Sequence, residues 1–322
     1  MGLLTLADAA PFLACPRCRC RAVEDGQGFR CSSESCVFNA SGSFPLIDGR
    51  PALVDFEHSV LPRDERLGSV PGGRNRWSVG RLPRRLRSWA KPRNRAAARN
   101  VKTMIGLLPG PAPLILIVGG GTMGNGIEEI YSDRRTRVAA FDIYGSPLVQ
   151  FIADAHQIPV ASQSVDAVLI QAVLQQVVDP GKVVSEIHRV LRKGALVYAE
   201  TPFLQQVVAG PYDFVRYTSS GHRYLFRAFE EIAAGPVAGP GTQLLWSVDH
   251  VVRGLLRSEP AGKLTRLAFF WLRYLDDLIP TAFAMDNASA YYFLGRRSER
   301  ELSPRDIVAY YRGAQRSAAG GE

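Results

Sequence analysis

The stretch LILIVGGGTMGNG, residues 114–126, frames the rest of the chain. Its first five residues are apolar and three are Ile or Val. That length and branching suit a strand buried on both faces. Glycines follow at 119, 120, 121, 124 and 126, and Ile127-Glu128-Glu129-Ile130 opens a helical pattern. Strand, glycine turn and helix make the first unit of a nucleotide-binding α/β sheet, where a bare backbone lets a ligand approach closely. Glycines alone do not choose the nucleotide; the surrounding chain must.

Working outward, residues 137–142 read as a second strand ending in Asp142, 18 residues past Gly124. That is close to the roughly 20 expected of an acid that hydrogen-bonds ribose hydroxyls. Residues 149–153 give a short third strand and 164–170 a fourth. A helix starts at Pro180 with Val183, Val184, Ile187, Val190 and Leu191 on one face, and Gly194 is its predicted stop. Residues 195–200 form a fifth strand, and an Ala-rich run over 93–108 predicts a helix leading into the sheet.

The chain has 322 residues, 46% of them hydrophobic, enough for one large domain and something smaller. No stretch reaches the ~18 apolar residues of a membrane span. The apolar N-terminus lacks a basic region and contains Asp8, so a cytoplasmic address is expected rather than secretion. The net charge of +9 is regional: residues 74–102 hold eleven Lys or Arg and no acid. Trp77 and Trp89 lie among those arginines. Such a segment suits a solvated linker, phosphate and base contact in RNA, or an anionic membrane surface.

All five cysteines fall between 15 and 36. Cys15-Pro16-Arg17-Cys18 and Cys31-x4-Cys36 are two thiolate pairs that suit closed tetrahedral zinc, with Cys20 an alternative to Cys18. Disulfides are the competing reading, disfavoured where the rest of the chain looks cytosolic. Residues 43–53, SFPLIDGRPAL, read as a hairpin with an Asp48-Gly49 turn. Residues 12–56 resemble the zinc ribbon of the tRNA-methyltransferase activator family and of several bacterial methyltransferases.

The series VGGGTMG, FDI, DAHQIPVASQSVDAVLIQAVLQQVVDP and VLRKGALVYAETP, over residues 112–204, resembles class I S-adenosylmethionine-dependent methyltransferases. The resemblance implies a Rossmann-like sheet whose Gly119, Gly121 and Thr122 pack against the methionine end of the cofactor. It implies that Asp142 takes the ribose diol and that Asp154 and the Ala155 backbone meet the adenine. Gln171 would face the transferred methyl group, while His156 is expected to face solvent or stack. Three positions depart from the pattern. Ile117 replaces an acid, Leu174-Gln175-Gln176 replaces Leu-Glu-His, and the link from Asp142 to Val149 is too short for a usual crossover. The last implies a lost or single-turn helix. NAD binding is disfavoured because the later phrases have no dinucleotide role, and no Walker lysine is present.

Beyond the fifth strand, PYDFVRYT (211–218) and GHRYLF (221–226) resemble a phrase of bacterial methyltransferases of glycan and secondary-metabolite pathways. Its loop lies at the carboxyl edge of the sheet, where ligands bind. Asp213, Arg216 and Tyr217 are therefore candidate substrate contacts, with His222 and then Tyr212 candidate bases. An Asp213–Arg216 pair that only fixes the loop is the equal alternative. Residues 243–279 carry two apolar helical patterns, the second aromatic and flanked by Lys263, Arg266 and Arg273. Packing onto the domain, a lid, a dimer face or peripheral membrane contact through 263–279 all fit. Residues 288–295 form a last, antiparallel strand at the far end of the sheet, and Ser303-Pro304 caps a terminal helix. Residues 318–322 are expected to be disordered.

The expected organisation is a zinc-ribbon-like module (1–58), a basic linker and lead-in helix (59–104) and a methyltransferase domain (105–298). The last carries a helical insertion (243–285), and a C-terminal helix and tail follow (299–322). The expected function is S-adenosylmethionine-dependent methyl transfer to a small molecule, glycan or lipid. An RNA methyltransferase gripping RNA through the ribbon and 74–102, and a catalytically silent binding partner, are the alternatives.

Overall fold

The computed structural model describes residues 2–26, 28–61, 63 and 93–318. The basic stretch 74–92 with Trp77 and Trp89, and the tail 319–322, lie outside the described residues.

In chain order, a one-turn helix α1 (Leu6–Ala9) leads into the hairpin β1 (Ala22–Glu24) and β2 (Phe29–Cys31), helix α2 (Val37–Ala40), and a second hairpin, β3 (Leu46–Ile47) and β4 (Arg50–Pro51). Asp48 and Gly49 at its tip have φ of 50° and 73°, the two positive values of the tight turn predicted there. Helix α3 (Arg95–Leu107) is capped by Asn94, whose side chain accepts from Ala97 N–H. Then come β5 (Leu114–Val118), α4 (Glu128–Ser132), β6 (Arg137–Asp142), β7 (Phe151–Ile152), β8 (Val165–Gln171), α5 (Pro180–Val190) and β9 (Leu191–Pro202). The chain continues through α6 (Ser219–Leu225), β10 (Phe229–Ala238), α7 (Pro240–Leu256), α8 (Glu259–Ala268), a 3-10 run Phe270–Asp277, α9 (Thr281–Asp286), β11 (Ala290–Arg297) and α10 (Pro304–Tyr310).

Seven strands form one sheet in the order β10-β11-β9-β8-β5-β6-β7. Strands β5 to β9 pair in parallel, and β11 is antiparallel to both neighbours. All five residues of β5 are buried, as its unbroken apolar run requires of a central strand. One face carries α3, which buries Ala97, Val101 and Met104 against Ile115, Ile117 and Leu169. The other carries α5, which buries Val183, Ile187 and Val190 against Leu116, Val118 and Ile170. From β5 the chain winds through β6 and β7 on one side and resumes with β8 on the other. That reversal opens a crevice at the carboxyl ends of the strands. This is the Rossmann-like sheet that the sequence resemblance implied.

Several local expectations are corrected. Helix α5 ends at Val190, and Gly194 (φ 70°) sits instead in an irregular stretch of β9, where pairing jumps from Val165–Leu191 to Ala167–Leu196. The last strand is antiparallel as expected, but β10 lies outside it and takes the edge. Ala-Ala-Gly-Pro over 233–236 hid that strand, since proline is tolerated only where a ladder N–H is dispensable. The short link after Asp142 is as expected: no helix joins β6 to β7 over residues 143–150.

The N-terminal segment occupies this poorly covered edge. Leu4 N–H donates to Val138 O (2.8 Å), and Leu53 N–H donates to Ile152 O (2.9 Å). Ala52, Val54 and Leu61 pack with Ile152 in a small cluster that Ile143 joins. The sulfurs of Cys15, Cys18, Cys31 and Cys36 all lie within 4.8 Å of one another, and Cys20 is outside the group. All five cysteines are free, so the disulfide reading does not hold. Among the described residues no helix is long and apolar enough to cross a membrane.

Candidate functional site

A cavity of about 460 Å³ opens at the crevice beside β5, within the usual range for a small-molecule site. Its floor is the ends of β5, β6, β8 and β9. One wall comes from Val60 and Leu61, at the end of the N-terminal segment, and Asn94 begins another.

Gly119 and Thr122 line the cavity, and Gly121 precedes Thr122 in the turn. Gly119 has φ 74°, and a Cβ there would meet Val173 Cγ2 at 2.2 Å. The turn thus needs glycine for its backbone conformation and for this chain's own packing. Gly121 N–H donates to Asp142 Oδ2 (2.8 Å), and Ile143 N–H donates to Asp142 Oδ1 (2.7 Å). Asp142 so pins the glycine turn while bordering the cavity. A carboxylate has about four acceptor positions, so capacity remains for a ligand. Burial pushes its pKa up to about 6, against the pull of those two N–H groups.

Asp154 and Ala155 also line the cavity. Asp154 accepts from His156 N–H (2.9 Å), His156 Nδ1 (2.6 Å) and the Ser59 hydroxyl. Burial opposes its ionisation, but the hydrogen bonds from His156 and Ser59 prevail and hold it below the ordinary carboxylate range. His156 corrects the expectation of a solvent-facing or stacking ring. It is buried, its Nε2 accepts from Asp179 N–H (3.1 Å), and Nδ1–H therefore donates to Asp154. It ties the end of β7 to the cap of α5.

Gln171 and Tyr212 border the cavity as well. Gln171 Nε2 donates to Glu200 Oε2 (2.8 Å) and to Asn125 O (3.1 Å). The next residue, Ala172, has φ 56°, a left-handed conformation that side chains resist by roughly 1–2 kcal/mol. Its strain sits where the chain leaves β8 beneath the cavity.

Four predicted residues are not brought to the cavity. His222 is 3% exposed, and its Nε2 meets Thr201 Oγ1 at 3.1 Å. Alternation along β9 turns Glu200 toward the cavity and Thr201 to the opposite face, where His222 packs edge-on against Phe226. Burial drives the His222 pKa down to about 3, so it is neutral and enclosed, not a base in the cavity. Asp213 and Arg216 form a paired fork, with Arg216 also donating to Gln205 O (3.0 Å) and Asp213 accepting from Val208 N–H (2.8 Å). This is the loop-fixing alternative. Tyr217 packs against the core beneath that loop.

Glu200, Asn94, Tyr144, Val60 and Leu61 also line the cavity, and the sequence reading missed them. Glu200 was legible only as the end of a strand, although an acid at a carboxyl end in an open α/β sheet was a usable signal. Asn94 was hidden within the basic linker. Asp142, Asp154 and Glu200 give the cavity three carboxylates, and no Lys or Arg is among its described lining residues. These acceptors suit a ligand that carries hydroxyl or amino donors.

No curated protein matches the sequence. Among solved structures, the chain is similar to *Haemonchus contortus* phosphoethanolamine N-methyltransferase 2 in complex with S-adenosyl-L-methionine. Identity is 16% and TM-score 0.44, covering 66% of this chain and 56% of that one. It is also similar to *Burkholderia thailandensis* 1,6-didemethyltoxoflavin-N1-methyltransferase, at 14% identity and TM-score 0.39, covering 64% and 78%. A chain of the *Haloferax volcanii* complex of the Trm112 methyltransferase activator with a methyltransferase gives 16% identity and TM-score 0.41, covering 63% and 91%. Residues 124–199, from the glycine turn through β9, match the methyltransferase-domain family, and the chain carries a methyltransferase domain there.

Proposed function

We propose that the cavity binds S-adenosylmethionine and that the chain transfers its methyl group to an acceptor. The observation that carries this reading is Asp142. It stands at the end of β6, fixed to the Gly121 N–H, beside a cavity inside the matched region. When bound, the cofactor supplies an activated methyl on a sulfonium. Asp142 would take the ribose diol, and Asp154, held by Ser59 and His156, would stand by the adenine with Ala155. The apolar side chains of Leu61, Val118 and Phe141 would exclude water from the nucleoside. Calorimetry with S-adenosylhomocysteine tests the reading: micromolar binding is expected, and none at millimolar concentration would overturn it.

The four clustered thiols support structural zinc, because zinc favours four soft ligands in a closed tetrahedron. An exposed apolar stripe supports an acceptor met at a lipid surface. Leu264, Leu267, Trp271, Tyr274 and Leu278 recur at helical spacing and are all exposed, with Arg257 and Lys263 exposed near one end.

A further inference from the structure

Glu200 is a buried carboxyl on the cavity wall with no cation among its partners in the described residues. Asn94 Nδ2 lies 3.0 and 2.9 Å from its two oxygens, Gln171 Nε2 donates to Oε2 at 2.8 Å, and the Tyr198 hydroxyl donates to Oε1. All three donors are neutral. A buried carboxylate is stabilised fully only when a positive charge joins it.

Gln171 supplies the second observation. Both partners of its Nε2 are acceptors, Glu200 Oε2 and Asn125 O, which fixes the orientation of the amide. Its Oε1 is therefore an acceptor, and it is buried without a donor. It packs against Gly124, where a Cβ would fall 1.8 Å from that oxygen, so only glycine leaves room for the amide in this position. Gln171 and Glu200 both line the cavity, so one corner joins a carboxyl with no cation among the described residues to an amide whose buried carbonyl has no donor. The nearby wall, Ile117, Ile127 and Leu169, is apolar. A hydrated divalent ion would need some six oxygen ligands, which this corner does not provide. A substituted ammonium needs two or three acceptors and an apolar seat for its carbon.

We infer that Glu200 and Gln171 form an ammonium-binding corner of the cavity, with Asn94 and Tyr198 positioning the carboxylate. This rests on the methyl-transfer reading and deepens it. The ammonium has two sources there, the α-amino group of the cofactor's methionine end or an amine on the acceptor.

The test separates them. Wild-type protein and Glu200→Gln are titrated calorimetrically with S-adenosylhomocysteine and with the same molecule lacking its α-amino group. If the cofactor's amine sits in the corner, the wild type discriminates by at least about tenfold, the effect of one charged hydrogen bond, and the variant closes the gap to within about threefold. If the acceptor's amine sits there, the two ligands bind the wild type alike. Protein saturated with S-adenosylhomocysteine then binds n-butylammonium in preference to 1-pentanol, and Glu200→Gln loses the preference. A wild type that discriminates in neither arm, or a Glu200→Gln variant that discriminates as well as the wild type, overturns the inference.

Should S-adenosylhomocysteine fail to bind the wild type, the methyl-transfer reading falls, and the butylammonium comparison on the protein alone still decides the corner. Gln171→Met, which removes the unsatisfied oxygen, should weaken the same discrimination and serves if Glu200→Gln does not fold.

Discussion

Asp142 and His222 show how one physical cause, burial, has opposite consequences at two residues. Burial raises Asp142 to about 6 and lowers His222 to about 3, in each case by disfavouring the charged form. In its enclosure His222 has a hydrogen bond to Thr201 and edge-on contact with Phe226, which is a packing role. Asp142 keeps two backbone N–H donors and a face on the cavity, so its charge state matters to a ligand. Above pH 6 its carboxylate accepts from both hydroxyls of a diol. Below pH 6 the neutral acid carries a proton on one oxygen and loses an acceptor. Affinity for S-adenosylhomocysteine should therefore fall as pH drops from 7.5 to 5, by up to about tenfold per unit below the pKa. In Asp142→Asn that loss should shrink. Calorimetry across the range checks it, and a wild-type profile no steeper than the variant's would remove Asp142 from ligand recognition.

At the scale of elements, legibility followed burial. Strand β5 was readable because a strand covered on both faces is apolar throughout, and α5 because its buried stripe repeats at helical spacing and Asp179-Pro180 marks its start. The edge strand β10 was not, since half-exposed strands carry a mixed pattern and Pro236 masks this one. The site divided in the same way. Asp142 and Asp154 were legible as acids at strand ends within a recognisable phrase. The Glu200 corner assembles from the cap of α3, β8 and β9, three segments far apart in sequence with no local pattern. The exposed stripe over α8 and the 3-10 run was read as a helical pattern, but its outward direction follows from packing on α7, which sequence alone does not give. Leu264, Leu267 and Leu278 are each at least two-thirds exposed, so replacing the first two should leave the fold intact. Wild-type protein should sediment with vesicles of equal phosphatidylglycerol and phosphatidylcholine. The pair Leu264→Ser and Leu267→Ser should weaken that partition by at least about tenfold, given roughly 1.5–3 kcal/mol per buried leucine. Absence of vesicle binding, or a dimer in analytical ultracentrifugation that the pair dissolves, would assign the stripe to a second copy instead.

Across the whole molecule, the N-terminal segment and the sheet share one apolar core. Cys15, Phe29 and Phe44 belong to the same continuous cluster as Phe151, Ile158 and Val165. The knuckle also reaches the cavity through a chain of polar contacts. Arg17, between Cys15 and Cys18, forks onto Asp55 (2.6 and 2.7 Å), and Asp55 caps the turn Phe56–His58 that delivers Ser59 to Asp154. Val60 and Leu61 follow directly on the cavity wall. If zinc holds the four thiolates, the metal sets Arg17 and, through Asp55, the nucleoside end of the cavity. Removing it with a chelator should lower the melting temperature and weaken S-adenosylhomocysteine by at least about tenfold, since binding free energy at a structural zinc site is folding free energy. Cys36→Ser should reproduce both effects, whereas Cys20→Ser, outside the cluster, should retain one equivalent of zinc and full affinity. Zinc loss that lowers the melting temperature while leaving the affinity unchanged would show that the ribbon stabilises the fold without shaping the cavity. The polar path from Arg17 to Asp154 would then be packing alone.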